Sequence, residues 1–146
     1  MKKTVLMMML LVSAQASAAP NMWTRTIVQG VTEYRIQNKN GAELLLTCSP
    51  ENNAFVRYTS PDGKTLASGG DDGRSVQAQT DNSDTFLIND TVSDAGGSNF
   101  EAFWDAARKS RRIHVTATGL TSTTFTFSNA ALTLPEFDKS GCLTRM

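Results

Sequence analysis

The sequence has few of the side chains that build metal or catalytic sites. It contains one histidine, His114, and two cysteines, and no C-x-x-C pair occurs. A structural zinc site needs four such ligands, so the chain does not have enough for one. Its acidic loops also depart from the D-x-[DN]-x-[DN]-G spacing of an EF-hand calcium loop. We therefore predict no bound metal and no cofactor.

A surplus of positive charge is also missing. The chain has 14 Lys and Arg residues against 14 Asp and Glu residues. Proteins that bind nucleic acid carry a clear basic excess, so no nucleic-acid partner is expected. The apolar run at residues 5–12 is too short to span a bilayer, and no later stretch is longer. The sequence therefore predicts no membrane span.

The first residues have the composition of an export signal. Lys2 and Lys3 precede the apolar run, and Ala16-Ser17-Ala18 follows it. A positive start, a short apolar core and small residues at the end are typical of a secretory signal peptide. We predict a signal at residues 1–18 and a single domain at residues 19–146, in the periplasm or secreted. That length suffices for one hydrophobic core.

The two cysteines remain after signal removal. Thiols in an oxidising compartment commonly pair, so we predict a disulfide between Cys48 and Cys142. Ala42, Leu44 and Leu46 alternate with polar or outward positions up to Cys48, which places this cysteine on the inner face of a strand. The bond would tie the third predicted strand to the C-terminal tail.

Most of the domain consists of short β-rich segments separated by turns. Asn40-Gly41 and Pro61-Asp62-Gly63 are typical of tight reversals. We predict strands at residues 26–29, 31–37, 42–48, 54–59, 64–67, 75–80, 85–89, 112–118 and 123–127, with a hinge at Gly30. The predicted fold class is mainly β: a small antiparallel β-sandwich or barrel with one amphipathic helix and a short C-terminal helical turn.

The helix has a marked start and one apolar face. Ser98 and Glu101 have the spacing of a capping box, which predicts that the helix begins at Ser98. Large and small apolar residues then recur at helical spacing, at Phe100, Phe103, Trp104 and Ala107. A second, shorter helical turn is predicted after Ser128 as its cap, and Pro135 ends it.

The densest charge in the chain lies at the end of this helix. Arg108, Lys109, Arg111 and Arg112 form a cluster that would suit an acidic partner, a phosphate group or a lipid headgroup. The alternative is that these cations only compensate the helix dipole and protect an exposed strand from pairing. We take the cluster as the candidate partner-binding site.

His114 is the natural place to look for catalysis. It lies in the middle of a predicted strand, on the polar face. A hydrolase site would need a carboxylate and a hydroxyl to converge on it, and no G-x-S-x-G motif occurs. We therefore predict no catalytic residues.

The last third of the chain resembles a pattern seen in small exported bacterial proteins. The segments that carry the likeness are FEAFWDAARKSRRIHV, then TFTFSNAAL, then Cys142. In these segments the chain is similar to the invasion-associated locus B group and to accessory proteins of type VI secretion. The resemblance implies a non-enzymatic envelope protein, and no functional residue carries over from it.

These observations favour an exported, non-enzymatic domain that binds another envelope component, most simply a protein, and that serves as a secretion accessory. One alternative is an inhibitor of a hydrolase such as lysozyme, which would insert the loop at residues 68–74 into the enzyme's cleft. A second alternative is a small hydrolase built on His114. The oligomeric state is left open by the sequence.

Overall fold

A computed structural model describes residues 19–70, 72–81 and 84–145. The first sheet contains β1 (Thr24–Val28), β2 (Val31–Gln37), β3 (Glu43–Cys48), β4 (Phe55–Thr59) and β5 (Thr65–Ala67), in that spatial order. The second contains β6 (Val76–Thr80), β7 (Thr85–Ile88), β8 (Arg112–Ala117) and β9 (Thr123–Thr126), arranged β7-β6-β8-β9. The helices are α1 (Asp94–Lys109) and α2 (Ala130–Thr133), followed by a 3-10 turn at Phe137–Lys139. The predicted signal peptide lies outside the described residues.

The mainly-β prediction is confirmed. All the strand pairs are antiparallel, and of the two predicted architectures the sandwich is the one that forms. The predicted turns contain Gly41 at φ 85° and Gly63 at φ 84°, values that suit a residue without a Cβ. The predicted hinge at Gly30 is instead a tight hairpin. Gln29 and Gly30 both have positive φ, and Val28 pairs directly with Val31.

The core lies between the inner faces of the two sheets. Alternation along each strand directs every second side chain inward. Members from the first sheet include Tyr34, Ile36, Leu44, Leu46, Val56 and Tyr58, and members from the second include Val76, Ala78, Ile88, Ile113, Val115 and Phe125. The Tyr58 hydroxyl donates to the carbonyl of Thr121 at 2.6 Å, and burial raises the pKa of this phenol.

Helix α1 places its aromatic side chains in this core, as predicted. Phe100, Phe103 and Trp104 are fully buried. The ring of Trp104 meets Tyr34 of β2 edge-on with centroids 5.0 Å apart, and Phe103 lies 6.0 Å from Phe86 of β7. The helix therefore contacts both sheets.

The predicted start of α1 at Ser98 is wrong. The N-cap is Ser93, whose hydroxyl accepts the Gly96 amide at 3.0 Å. Asp90 supports this cap because its carboxylate accepts the amides of Val92 and Ser93 at 2.9 and 2.7 Å. These donors, with Ser93 contributing most, hold the pKa of Asp90 below its usual range. The helix thus begins before the Gly96-Gly97 pair.

The two glycines lie inside the first turns because other chain segments pass close to them. A Cβ on Gly96 would lie 2.4 Å from the Asp90 carbonyl oxygen. A Cβ on Gly97 would meet the side chain of Arg145 at 2.6 Å. Glu101, which was expected to complete a capping box, instead accepts a hydrogen bond from Thr144 at 2.8 Å and pairs with Arg145.

The C-terminal segment, residues 135–145, packs on the sandwich and is held there by a disulfide and by hydrogen bonds. Cys142 forms the predicted disulfide with Cys48, with their Cα atoms 4.2 Å apart. The Leu143 carbonyl accepts the amide of Ala54 at 2.8 Å, and the carbonyl of Pro135 accepts the indole N–H of Trp104 at 2.8 Å. The segment therefore joins β3, the start of β4 and helix α1.

The N-terminal part of the domain is held by an asparagine. The side-chain amide of Asn129 accepts the Trp23 N–H at 2.9 Å and donates to its carbonyl at 2.9 Å. Trp23 is buried, with its ring edge-on to Phe127 at 5.8 Å. The residue that precedes α2 is thus Asn129, and the predicted cap by Ser128 is wrong.

Candidate functional site

The outer face of the first sheet has its charges paired within the sheet. Glu43 of β3 lies between Arg35 at 3.6 Å and Arg57 at 3.4 Å. Arg35 also pairs with Glu33 at 2.8 Å, and the Gln37 amide donates to Glu43 at 2.7 Å. Cross-strand pairs of opposite charge stabilise a sheet. These four charged side chains of the first sheet are therefore paired with one another.

The outer face of the second sheet is different. Apolar residues of β6 and β8 point inward, so their neighbours form a surface of amides, hydroxyls, one imidazole and one guanidinium, which the exposed Leu87 of β7 borders. We call this surface the polar face, and it consists of Gln77, Gln79, Arg112, His114, Thr116, Thr124 and Thr126. Strand register places Gln79, His114 and Thr124 in one row across β6, β8 and β9.

A shallow groove of about 250 Å³ lies on this face. Its lining consists of Gln79, Thr80, Asp81, Arg112, His114 and Thr124. The His114 Nδ1 and the Thr124 hydroxyl are 2.8 Å apart. Asp81 lines the same groove, but its carboxylate accepts the Arg111 amide and lies 4.0 Å from the Arg112 Nε.

The groove does not assemble a catalytic triad. A hydroxyl does approach His114, which the second sequence-based alternative requires. Within residues 19–70, 72–81 and 84–145, however, no carboxylate forms a hydrogen bond with the imidazole. A general base in such a triad is oriented by a third group, and that contact is missing from the described residues.

The predicted basic cluster is divided by the structure. The Arg108 Nε donates to the Leu134 carbonyl at 2.9 Å, at the joint between α1 and α2. Its side chain and that of Lys109 border a second groove, together with the carboxylates of Asp105, Glu136 and Asp138. Arg108 therefore holds the end of α2, and both Arg108 and Lys109 lie beside negative charge, whereas Arg111 and Arg112 follow the end of the helix.

Lys109, Arg111 and Arg112 form the exposed part of the cluster, which we call the basic corner. Ser110 ends α1, since its hydroxyl donates to the Ala106 carbonyl at 2.7 Å and its amide to Ala107. The chain turns at once into β8. Because of this short connection, the basic corner adjoins the polar face at its Arg112 end.

The loop at residues 68–74 is described except for Asp71. The Asp72 carboxylate accepts the Arg74 amide at 3.1 Å and pairs with the Arg74 guanidinium. The Arg74 amide and then its guanidinium hold the pKa of Asp72 below its usual range. The inhibitor alternative, in which this loop enters an enzyme cleft, stays a prediction.

Sequence reasoning missed Gln79, Asp81 and Thr124 as members of a shared groove. The available signal was strand alternation, which assigns Gln79 and Thr124 to outer faces. Their approach to His114 depends on the pairing of β6 and β9 with β8: β6 is distant from β8 in sequence, and the register of the β8–β9 hairpin is not fixed by the alternation alone.

Within the described part of the chain, no group of three or more His, Cys, Asp or Glu residues is placed to hold a metal ion. None of the helices found there has the length and apolar character needed to cross a bilayer.

The fold and the site together define a small disulfide-closed β-sandwich with an open polar face and a basic corner. The chain belongs to the YfjT family, whose model matches residues 21–134. No curated protein and no solved structure matches the chain. The resemblance to the invasion-associated locus B group and to type VI accessory proteins is not tested by these comparisons and stays a prediction.

Proposed function

We propose that this protein is an exported, non-enzymatic binding domain whose partner is another protein of the cell envelope. The observation that carries the proposal is the basic corner beside the polar face. Lys109, Arg111 and Arg112 are exposed there, with Arg112 4.0 Å from Asp81, whereas the charges of the opposite outer face are paired at 2.8, 3.4 and 3.6 Å. Exposed charge of one sign steers a complementary partner and fixes its orientation.

The shape of the surface favours a macromolecule. Sites for small molecules are deep and mostly apolar, whereas the polar face is hydrophilic and its groove is shallow. Its strands are held by a continuous core and by the disulfide, so the surface is presented by a rigid scaffold. A rigid scaffold lowers the entropy cost of binding.

An oxidised, exported protein is consistent with the same proposal. Disulfides persist outside the reducing cytosol, and the Cys48–Cys142 bond is accompanied by the signal-like residues 1–18. We propose that the protein acts in the periplasm or outside the cell.

Charge reversal at the basic corner tests the proposal. The variant with glutamate at Lys109, Arg111 and Arg112 should retain less than a tenth of the partner that the immobilised wild type captures from an envelope extract, because close charge pairs across an interface contribute more than about 1.4 kcal/mol. The captured protein is identified and quantified by mass spectrometry.

The matched control carries glutamate at Arg25, Lys64 and Arg74. These are exposed cations outside the basic corner, and the two variants have the same net charge. Equal capture by the two variants would remove the basic corner as the contact surface.

A further inference from the structure

We propose that the groove around His114 is a carboxylate seat, which receives a Glu or Asp side chain from an acidic segment of the partner protein. The seat consists of Gln79, Arg112, His114 and Thr124, with Asp81 at its border. This inference rests on the proposed function and names the chemistry that the partner would bring to the same surface.

The donors of the seat converge from three strands. Arg112 is 63% exposed, and its Nε lies 4.0 Å from Asp81, too far for a hydrogen bond. The terminal guanidinium nitrogens have no hydrogen-bond partner within the described residues, so they are available to a carboxylate, which they match in a bidentate geometry. The Gln79 amide lies in the adjacent row and adds neutral donors, and the Thr124 hydroxyl, 2.8 Å from the His114 Nδ1, borders the same space.

Asp81 affects which anion fits. Its carboxylate lies beside Arg112 and offsets much of that residue's charge at the groove. A phosphate group carries close to two negative charges near neutral pH, so both its attraction to Arg112 and its repulsion by Asp81 are larger than for a carboxylate with one. Because these two effects oppose each other, the second charge gives phosphate little advantage over a carboxylate at this groove.

Size and surroundings favour a side chain over a free cofactor. The groove of about 250 Å³ is smaller than the pockets that hold drug-sized ligands, which start near 300 Å³. Arg111 lies next to it along the chain and would attract a further acidic residue of the same segment. A short acidic peptide can place one carboxylate in the groove and another beside the neighbouring cation.

The probe is hexaglutamate, with hexaglutamine as its uncharged counterpart. Titration into ¹⁵N-labelled protein at fixed ionic strength should shift the backbone amides of Gln79, His114 and Thr124, and hexaglutamine should not shift them. Arg112→Gln should weaken hexaglutamate binding about tenfold, the effect of losing one charged hydrogen-bonding group. Thr124→Val, which keeps the strand propensity, should weaken it less.

The control is Arg25→Gln, which removes an equally exposed arginine from the other sheet. Equal weakening by Arg112→Gln and Arg25→Gln would overturn the seat, because it would indicate attraction by net charge alone. Tighter binding of inorganic phosphate at the same amides would overturn the choice of a carboxylate. Thermal melting of each variant confirms that it is folded.

The two proposals fail separately. Loss of hexaglutamate binding at the groove with intact capture through the basic corner would reject the seat and keep the proposed function. Specific hexaglutamate binding with no captured partner would reject the proposed function and keep the seat.

Discussion

Replacing both Cys48 and Cys142 with alanine should lower the free energy of unfolding by about 4–5 kcal/mol. The bond joins residues 94 apart in sequence, so its loss frees most of the unfolded chain. Domains of this kind are stable by only about 5–15 kcal/mol, and the variant should therefore lie close to the folding threshold. Urea denaturation of the two proteins measures the difference.

The effect is large because the disulfide acts together with the C-terminal segment. Leu143 accepts the amide of Ala54, and Arg145 donates its amide to Thr91 at 2.8 Å. Reduction of the wild type with dithiothreitol should reproduce most of the loss, whereas dithiothreitol should leave the double alanine variant unchanged. A loss below about 1 kcal/mol in both tests would contradict the entropic role of this bond.

Gly96→Ala should destabilise the domain by about 2–3 kcal/mol. Alanine normally favours a helix over glycine by about 1 kcal/mol, but here its Cβ would lie 2.4 Å from the Asp90 carbonyl oxygen. Asp90 supports the cap of α1 and cannot move without breaking the hydrogen bonds that its carboxylate accepts from the amides of Val92 and Ser93. The steric overlap with Asp90 therefore costs more free energy than the higher helix propensity of alanine contributes.

Gly97→Ala is the matched control in the same turn. Its Cβ would meet the Arg145 side chain at 2.6 and 2.9 Å, and that side chain is flexible and partly exposed. Its stability should remain within about 1 kcal/mol of the wild type, since the propensity gain offsets the adjustment of Arg145. Thermal and urea unfolding compare the two variants, and equal losses would show that the close approach of Asp90 is not the cause.

The fold could be predicted largely because its signals are local. Turn residues such as Asn40-Gly41 and Pro61-Asp62-Gly63 separate segments whose alternation assigns an inner and an outer face. Cys48 was placed inward by this alternation, and the structure buries it. The pairing order of the strands, in which β6 lies between β7 and β8, is a tertiary property that no local pattern contains.

The errors have a common cause in tertiary contacts. Ser98 and Glu101 match a capping box, yet the approach of Asp90 and Arg145 to the two glycines selects a start at Ser93. Ser128 was expected to cap α2, but Asn129 is the residue before the helix, and its side-chain amide forms hydrogen bonds with the backbone of Trp23. Local propensity allows more than one end for a helix, and tertiary packing determines which one forms.

The candidate site was predictable in part. The charge of Lys109, Arg111 and Arg112 is visible in the sequence, and so is their place at the end of a helix. The contact of Arg108 with the end of α2 could not be predicted, because it depends on the carbonyl of Leu134, which is distant in sequence. The groove at His114 likewise required strand register, which brings Thr124 to 2.8 Å.

Site-specific cross-linking in the source cell tests the binding surface most directly. A photoreactive p-benzoylphenylalanine replaces Arg111 in one strain and Arg25 in another, and adducts are identified by mass spectrometry after irradiation. We expect one envelope protein to be linked from position 111 and not from position 25. No adduct from position 111, or the same adducts from both positions, would contradict a partner-binding role for the basic corner.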